Sequence, residues 1–190
     1  MLLADHAVAA TATLPVIPEG QWLYQKVVAK NPDGTLRTGV SWIRDGVVAV
    51  TGSDDAGFGS GYGVPYRDFG RLPSDPQALI RYLTNLAGPG QGDEGAFLTI
   101  EGTLINGAPP AVAAKLYRAL GDIPGVTVND DAVDVAGRHG VAFARGGEEV
   151  ILSKGSYRFM GFVSDDAAGH VLDGEAVLQR VPVSGPFVRP

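Results

Sequence analysis

Side chains able to do chemistry are sparse in this 190-residue chain, and their spacing is unhelpful to most reactions. The three histidines, His6, His139 and His170, stand far apart, and no two of them form a helical metal pair. They read as surface or turn histidines, and no metal ligand is assigned. Acidic pairs occur at Asp54-Asp55, Asp130-Asp131 and Asp165-Asp166, each beside Gly or Ala in a predicted loop. None has the alternating oxygens, bend glycine and distal glutamate of a calcium loop, so they read as solvated turns. Cysteine is absent, which removes disulfides, thiolate nucleophiles and cysteine-based zinc sites together. No Gly-x-Ser-x-Gly elbow is present, and no Ser, His and Asp set stands out. No catalytic residue is therefore assigned. An alternative reading is a hydrolase whose carboxylates come from the loops around Asp54 or Asp130, because acidic residues gather there in glycine-containing loops.

The aromatic residues carry more information. Trp22, Tyr24, Trp42, Phe143, Tyr157 and Phe159 fall in predicted strands, where they either fill a core or line the inside of a strongly curved sheet. Trp22, Tyr24, Trp42 and Tyr62 are the candidate ligand-binding residues.

Composition narrows the class of molecule. Apolar residues make up 45% of the chain, enough for one substantial core, and 15 Lys and Arg against 21 Asp and Glu give a net charge of -6. That sign opposes a phosphate backbone, so no nucleic-acid partner is expected. The 27 glycines and 13 prolines predict many turns and short elements. No apolar run approaches a membrane span, and Met1–His6 lacks the basic and apolar regions of a signal peptide. The chain as given reads as soluble. Residues 1–20 read as a lead-in, a short helix or a disordered segment, followed by a single α+β domain over 21–190.

The first strands run from Gln21 to Thr51. A turn at Asn31-Pro32-Asp33-Gly34 and a second at Asp45-Gly46 separate three of them. With four residues in the first turn, Trp22 and Tyr24 face Ile43 and Ser41, while Leu23 faces Trp42 on the opposite side. Both faces are then apolar, and the sheet needs two covers. Residues 52–71 form a loop centred on Gly57–Gly63, without the pattern of a phosphate cradle. Three helices follow. One is capped by Ser74 or Asp75, the second carries Phe97, Ile100, Leu104 and Ile105, and the third opens at Pro109-Pro110. The last third returns to strands. Two-residue turns at Gly146-Gly147 and Lys154-Gly155 place Phe143 opposite Val150 and Val150 opposite Phe159. Leu116, Leu120, Val141, Phe143, Val150 and Phe159 are expected in one core. Pro182 and Pro186 suit an edge or an exit.

The order of four motifs supports a family resemblance: Gln21-Trp22-x-Tyr24, Leu72-Pro73-Ser74-Asp75-Pro76, Leu116-Tyr117-Arg118-Ala119-Leu120 with Ile123-Pro124-Gly125-Val126, and Gly137-Arg138-x-Gly140-Val141-Ala142. Over about residues 20–163 the chain resembles the extracytoplasmic domains of actinobacterial membrane proteins associated with sigma-factor operons. Those domains look related to the half-barrel superfamily of lipoprotein carriers and periplasmic sigma-factor regulators. The resemblance implies a curved, mainly antiparallel sheet wrapped around about three helices, with about seven to nine strands. It implies no catalytic residue and no cofactor. It also implies an extracytoplasmic, membrane-anchored location through a span outside these residues, and a protein partner or lipid-like ligand. The expected function is a non-catalytic sensor or binding domain in envelope signalling or sigma-factor regulation.

Overall fold

The computed structural model describes residues 2–31, 33–45, 47–50 and 63–190. Tyr62, Asp54, Asp55 and most of the Gly57–Gly63 loop lie outside the described residues. The fold is α+β, with one curved, antiparallel sheet of eight strands that does not close into a barrel. The strands are β1 (Trp22–Lys30), β2 (Leu36–Arg44), β3 (Val47–Val50), β4 (Thr127–Val133), β5 (His139–Arg145), β6 (Glu148–Ser153), β7 (Phe159–Asp165) and β8 (Val171–Val183). Their spatial order is β3-β2-β1-β8-β7-β6-β5-β4, so the β1–β8 ladder is the seam between the first hairpins and the last meander.

Between β3 and β4 the chain crosses one face of the sheet with a 3-10 turn (Tyr66–Arg71) and three helices, α2 (Pro76–Ala87), α3 (Gly92–Ile105) and α4 (Pro110–Asp122). Asp75, not Ser74, caps α2, accepting the Ala78 N–H at 2.8 Å, and Pro76 sits in the first turn where its missing N–H costs nothing. In α3 the residues from Gly95 to Ile105 are buried, except Leu98, which is half-buried. Burial on nearly every side belongs to a helix in the middle of a structure, and α3 packs against β7, α2 and α4. The lead-in is a helix, α1 (Leu2–Thr11), whose Leu3, Ala4 and Ala7 are buried in the same core as α4. A Cβ at Gly121 would come within 2.8 Å of the Ala4 Cβ, so glycine there permits the close crossing of α1 and α4.

Two registers differ from the sequence expectation. The first hairpin closes with five residues, because Asp33 accepts from both the backbone and the hydroxyl of Thr35 while Asn31 N–H reaches the Thr35 carbonyl. Tyr24 therefore pairs with Trp42 and Leu23 with Ile43. A one-residue slip exchanges faces, so Trp42 joins Trp22 and Tyr24 instead of Leu23. The β6–β7 turn is also longer than two residues, since Ser153 and Arg158 close it and Tyr157 takes φ +51°. Val150 accordingly pairs with Phe162, and Phe159 with Leu152. Arg44 lies opposite Val47 as expected, and Arg145 lies opposite Glu148 across the expected two-residue turn at 146–147. Pro182 lies on β8 opposite Leu23 of β1 and beyond the reach of β7, which pairs only with Val171–Ala176, so it sits on an open edge, where proline is tolerated.

Leu116, Leu120, Val141, Phe143 and Val150 are buried in one cluster, and Phe159 packs against it half-buried. Phe143 is 2% exposed, so Phe143→Ala is expected to cost about 3–5 kcal/mol in chemical denaturation. Phe159→Ala should cost clearly less, and equal losses would contradict the observed register.

Candidate functional site

The two faces of the first hairpin present different chemistry. On the helix side, Gln25 and Arg180 are paired across the β1–β8 seam. Arg180 reaches that side because of a bulge: Lys26 pairs with Gln179 and Val27 with Val177, leaving Leu178 as the extra residue. Arg180 donates from Nε to Gln25 Oε1 at 2.5 Å, and from Nη2 to the Leu104 and Ile105 carbonyls at 2.9 and 2.6 Å. Gln25 Nε2 donates to the Ile105 carbonyl at 3.1 Å, and Phe159 presents its ring 5.4 Å from the guanidinium. The last carbonyls of a buried helix have no partner within the helix, and a cation is favoured at that end. Arg180 and Gln25 meet both needs, although desolvation lowers the guanidinium pKa to about 10.

Deeper on the same side lies Glu101, 4% exposed, in the middle of α3. The flanking threonines satisfy themselves within the helix, Thr99 Oγ1 donating to Gly95 O and Thr103 Oγ1 to Thr99 O. Glu101 has no such partner for Oε2. Burial, and then the carboxylates of Glu148, Asp173 and Glu175, push its pKa from 4.5 up to about 9. Burial likewise raises Glu148 above the usual carboxylate range, against the lowering effect of a hydrogen bond from Ser164.

The acidic pair expected in a loop at Asp130-Asp131 lies instead within β4, and Asp131 behaves oppositely to Glu101, whereas burial raises the Asp165 carboxyl. Asp131 is exposed and takes hydrogen bonds from Lys154 Nζ at 2.8 Å and from the His139 ring at 3.0 Å, which hold its pKa low. Among the described residues no three His, Asp or Glu side chains are arranged to hold a metal ion. Two shallow depressions, of about 480 and 250 Å³, lie at the α2–α3 turn and at the β5–β6 turn. Neither is lined by Trp22, Tyr24 or Trp42.

On the outer face, the structure brings three of the four candidate ligand-binding residues together. Trp22, Tyr24 and Trp42 form one cluster with Val183, flanked by Val40, Ala49 and Val181. Tyr24 meets Trp42 edge-on at 5.7 Å, and the Arg44 guanidinium lies 4.6 Å over the Trp22 ring. Their exposures are 8%, 4% and 0% in sequence order, so this is a covered surface. Part of the cover is the irregular segment 184–190 that follows β8. Trp42 Nε1 donates to the Val188 carbonyl at 2.6 Å, and Phe187 packs its ring 5.3 Å from that of Trp42. Phe187 adopts φ +65°, a left-handed conformation that costs a bulky residue on the order of 1–3 kcal/mol.

Sequence reading did not single out Glu101, Arg180 or Phe187. Glu101 is the only charged residue between Gly95 and Asn106, a signal that a helix buried on nearly every side makes meaningful. Phe187-Val188 follows the turn residues Ser184-Gly185-Pro186, a pattern suited to an apolar pair folding back. No family model matches the chain, and comparison with curated proteins and with solved structures gives no match.

A carboxyl whose folded pKa lies above its unfolded value favours the folded state only while protonated. The Glu101 contribution is complete below about pH 4.5 and fades as pH climbs toward 9. Glu101→Gln should therefore match wild type near pH 4 and exceed it by roughly 2–4 kcal/mol at pH 7, measured by urea denaturation. A difference that does not vary with pH would contradict the buried, protonated carboxyl.

Proposed function

We propose that this chain is a non-catalytic sensor or binding module. It belongs to the extracytoplasmic part of a membrane-anchored protein in envelope signalling or sigma-factor regulation, and it recognises a protein segment in preference to a lipid. The observation that carries the binding reading is the outer aromatic surface of Trp22, Tyr24 and Trp42, which is covered in part by a segment without regular structure. A cluster of large rings whose described cover is an irregular segment, not a helix or strand, is one that a partner segment can reach by displacing that cover. The preference for protein follows from the helix-side face. A carrier of lipid-like molecules needs a hollow between sheet and helices, and here α3 occupies that space with buried side chains such as Phe97, Ile100, Leu104 and Ile105.

The location and the signalling role rest on the resemblance of residues 20–163 to sigma-factor-operon-associated extracytoplasmic domains. Among the described residues no helix is long and apolar enough to cross a membrane, so an anchor would lie elsewhere in the protein.

The choice between partner classes is open to native mass spectrometry of the purified chain after incubation with a total bacterial lipid extract. The expected spectrum contains the unliganded mass alone. One retained lipid per chain would contradict the protein-binding reading and replace it with a carrier.

A further inference from the structure

Segment 184–190 has the features of a ligand more than those of a core element. It leaves β8 through Ser184-Gly185-Pro186 and forms no strand or helix. Among the described residues its hydrogen bond to the sheet is the one from Trp42 Nε1 to the Val188 carbonyl. Its two apolar side chains are poorly seated, Phe187 being 59% exposed and Val188 42%. The backbone is strained at Phe187, where φ is +65°. A segment held, among the described residues, by one hydrogen bond and one ring contact to Trp42, in a strained conformation, can be exchanged for another that offers the same groups.

What the surface asks of an occupant can be read from what it now holds. The Trp42 indole N–H needs a carbonyl whenever it is covered, and here the Val188 carbonyl, just after the turn at Pro186-Phe187, supplies one. The ring beside it accepts an aromatic or aliphatic side chain next to that carbonyl. Prolines at 186 and 190 keep the present occupant out of helices and strand ladders, so its carbonyl stays free for the indole.

We propose that the Trp22–Tyr24–Trp42 cluster is a docking surface for a proline-flanked apolar turn segment of a partner protein, and that residues 184–190, seated on Trp42, are its intramolecular competitor. The proposal deepens the binding-module reading and rests on it. Binding of the partner segment displaces residues 184–190, which shift from covering the surface to being free. A tethered segment competes at a high effective concentration, so the isolated chain keeps this surface covered until a better-fitting segment arrives.

The test uses the full chain and the acetylated peptide Ser-Gly-Pro-Phe-Val-Arg-Pro, with the Trp42 indole N–H followed by NMR. Phe187→Ala should keep the wild-type backbone spectrum, move the Trp42 indole resonance, and bind the added peptide about 10-fold or more tighter than wild type, because the tethered competitor is weakened. The bound resonance should return toward its wild-type position, and a peptide with Ala in place of Phe should have no effect. Equal affinity in the two chains, or no indole shift in either at about 1 mM peptide, the range of a tethered segment's effective concentration, would overturn the proposal. So would loss of the folded spectrum in both Phe187→Ala and Phe187→Gly, which would make the segment part of the core. A wild-type dimer with exchanged segments, seen by analytical ultracentrifugation, would replace the partner by a second copy and also overturn it. If the peptide fails while the lipid experiment still gives an unliganded mass, the binding-module reading stands and only this docking surface is rejected.

Discussion

A buried helix cannot end in an apolar interior without partners for its last carbonyls, and the way α3 meets that constraint organises this fold. The carbonyls of Leu104 and Ile105 lie against the β1–β8 seam, the ladder that joins the first hairpins to the final meander. Arg180 and Gln25 serve those carbonyls from the two strands of the seam and bond each other. Burying a guanidinium is costly unless its donors are used, and here three contacts and an aromatic ring surround it. One cluster thus fixes the helix end and the pairing of sequence-distant strands.

The bulge at Leu178 is what makes this cluster compatible with the outer face. Alternation along a strand is strict, so without the extra residue Gln179 would point to the helix side and Arg180 outward. With it, Arg180 turns inward while Val181 and Val183 turn outward opposite Tyr24 and Trp22. The same irregularity therefore sets the clamp under α3 and lays the floor of the aromatic surface. The division of labour between faces follows: a packed interior that holds Glu101, and an outer surface whose rings are already covered, in part by residues 184–190.

Much of the fold was legible in the sequence because its signals are local. Asp45-Gly46 and Gly146-Gly147 encode tight turns, Asp75-Pro76 encodes a helix start, and the apolar spacing of α2 and α4 encodes one-sided burial. The site was less legible because it depends on registers and bulges, which local signals do not carry. Asn31-Pro32-Asp33-Gly34 suggests a four-residue turn, and only the capping of Thr35 by Asp33 lengthens it to five and moves Trp42 beside Tyr24. Lys154-Gly155 misleads in the same way, since the chain closes at Ser153 and Arg158 instead. Glu101 was hidden because α3 is buried on nearly every side, polar residues included, and so has no amphipathic stripe to reveal which residue faces the sheet.

A double-mutant cycle across the seam tests the organising role of this cluster most directly. Urea denaturation of wild type, Gln25→Ala, Arg180→Met and the double variant gives the coupling between the two side chains. A charge-assisted contact of this kind predicts a coupling of about 1–3 kcal/mol, with the m-value unchanged. Additive losses, agreeing within about 0.5 kcal/mol, would mean that the two residues act independently and that α3 is held by packing alone.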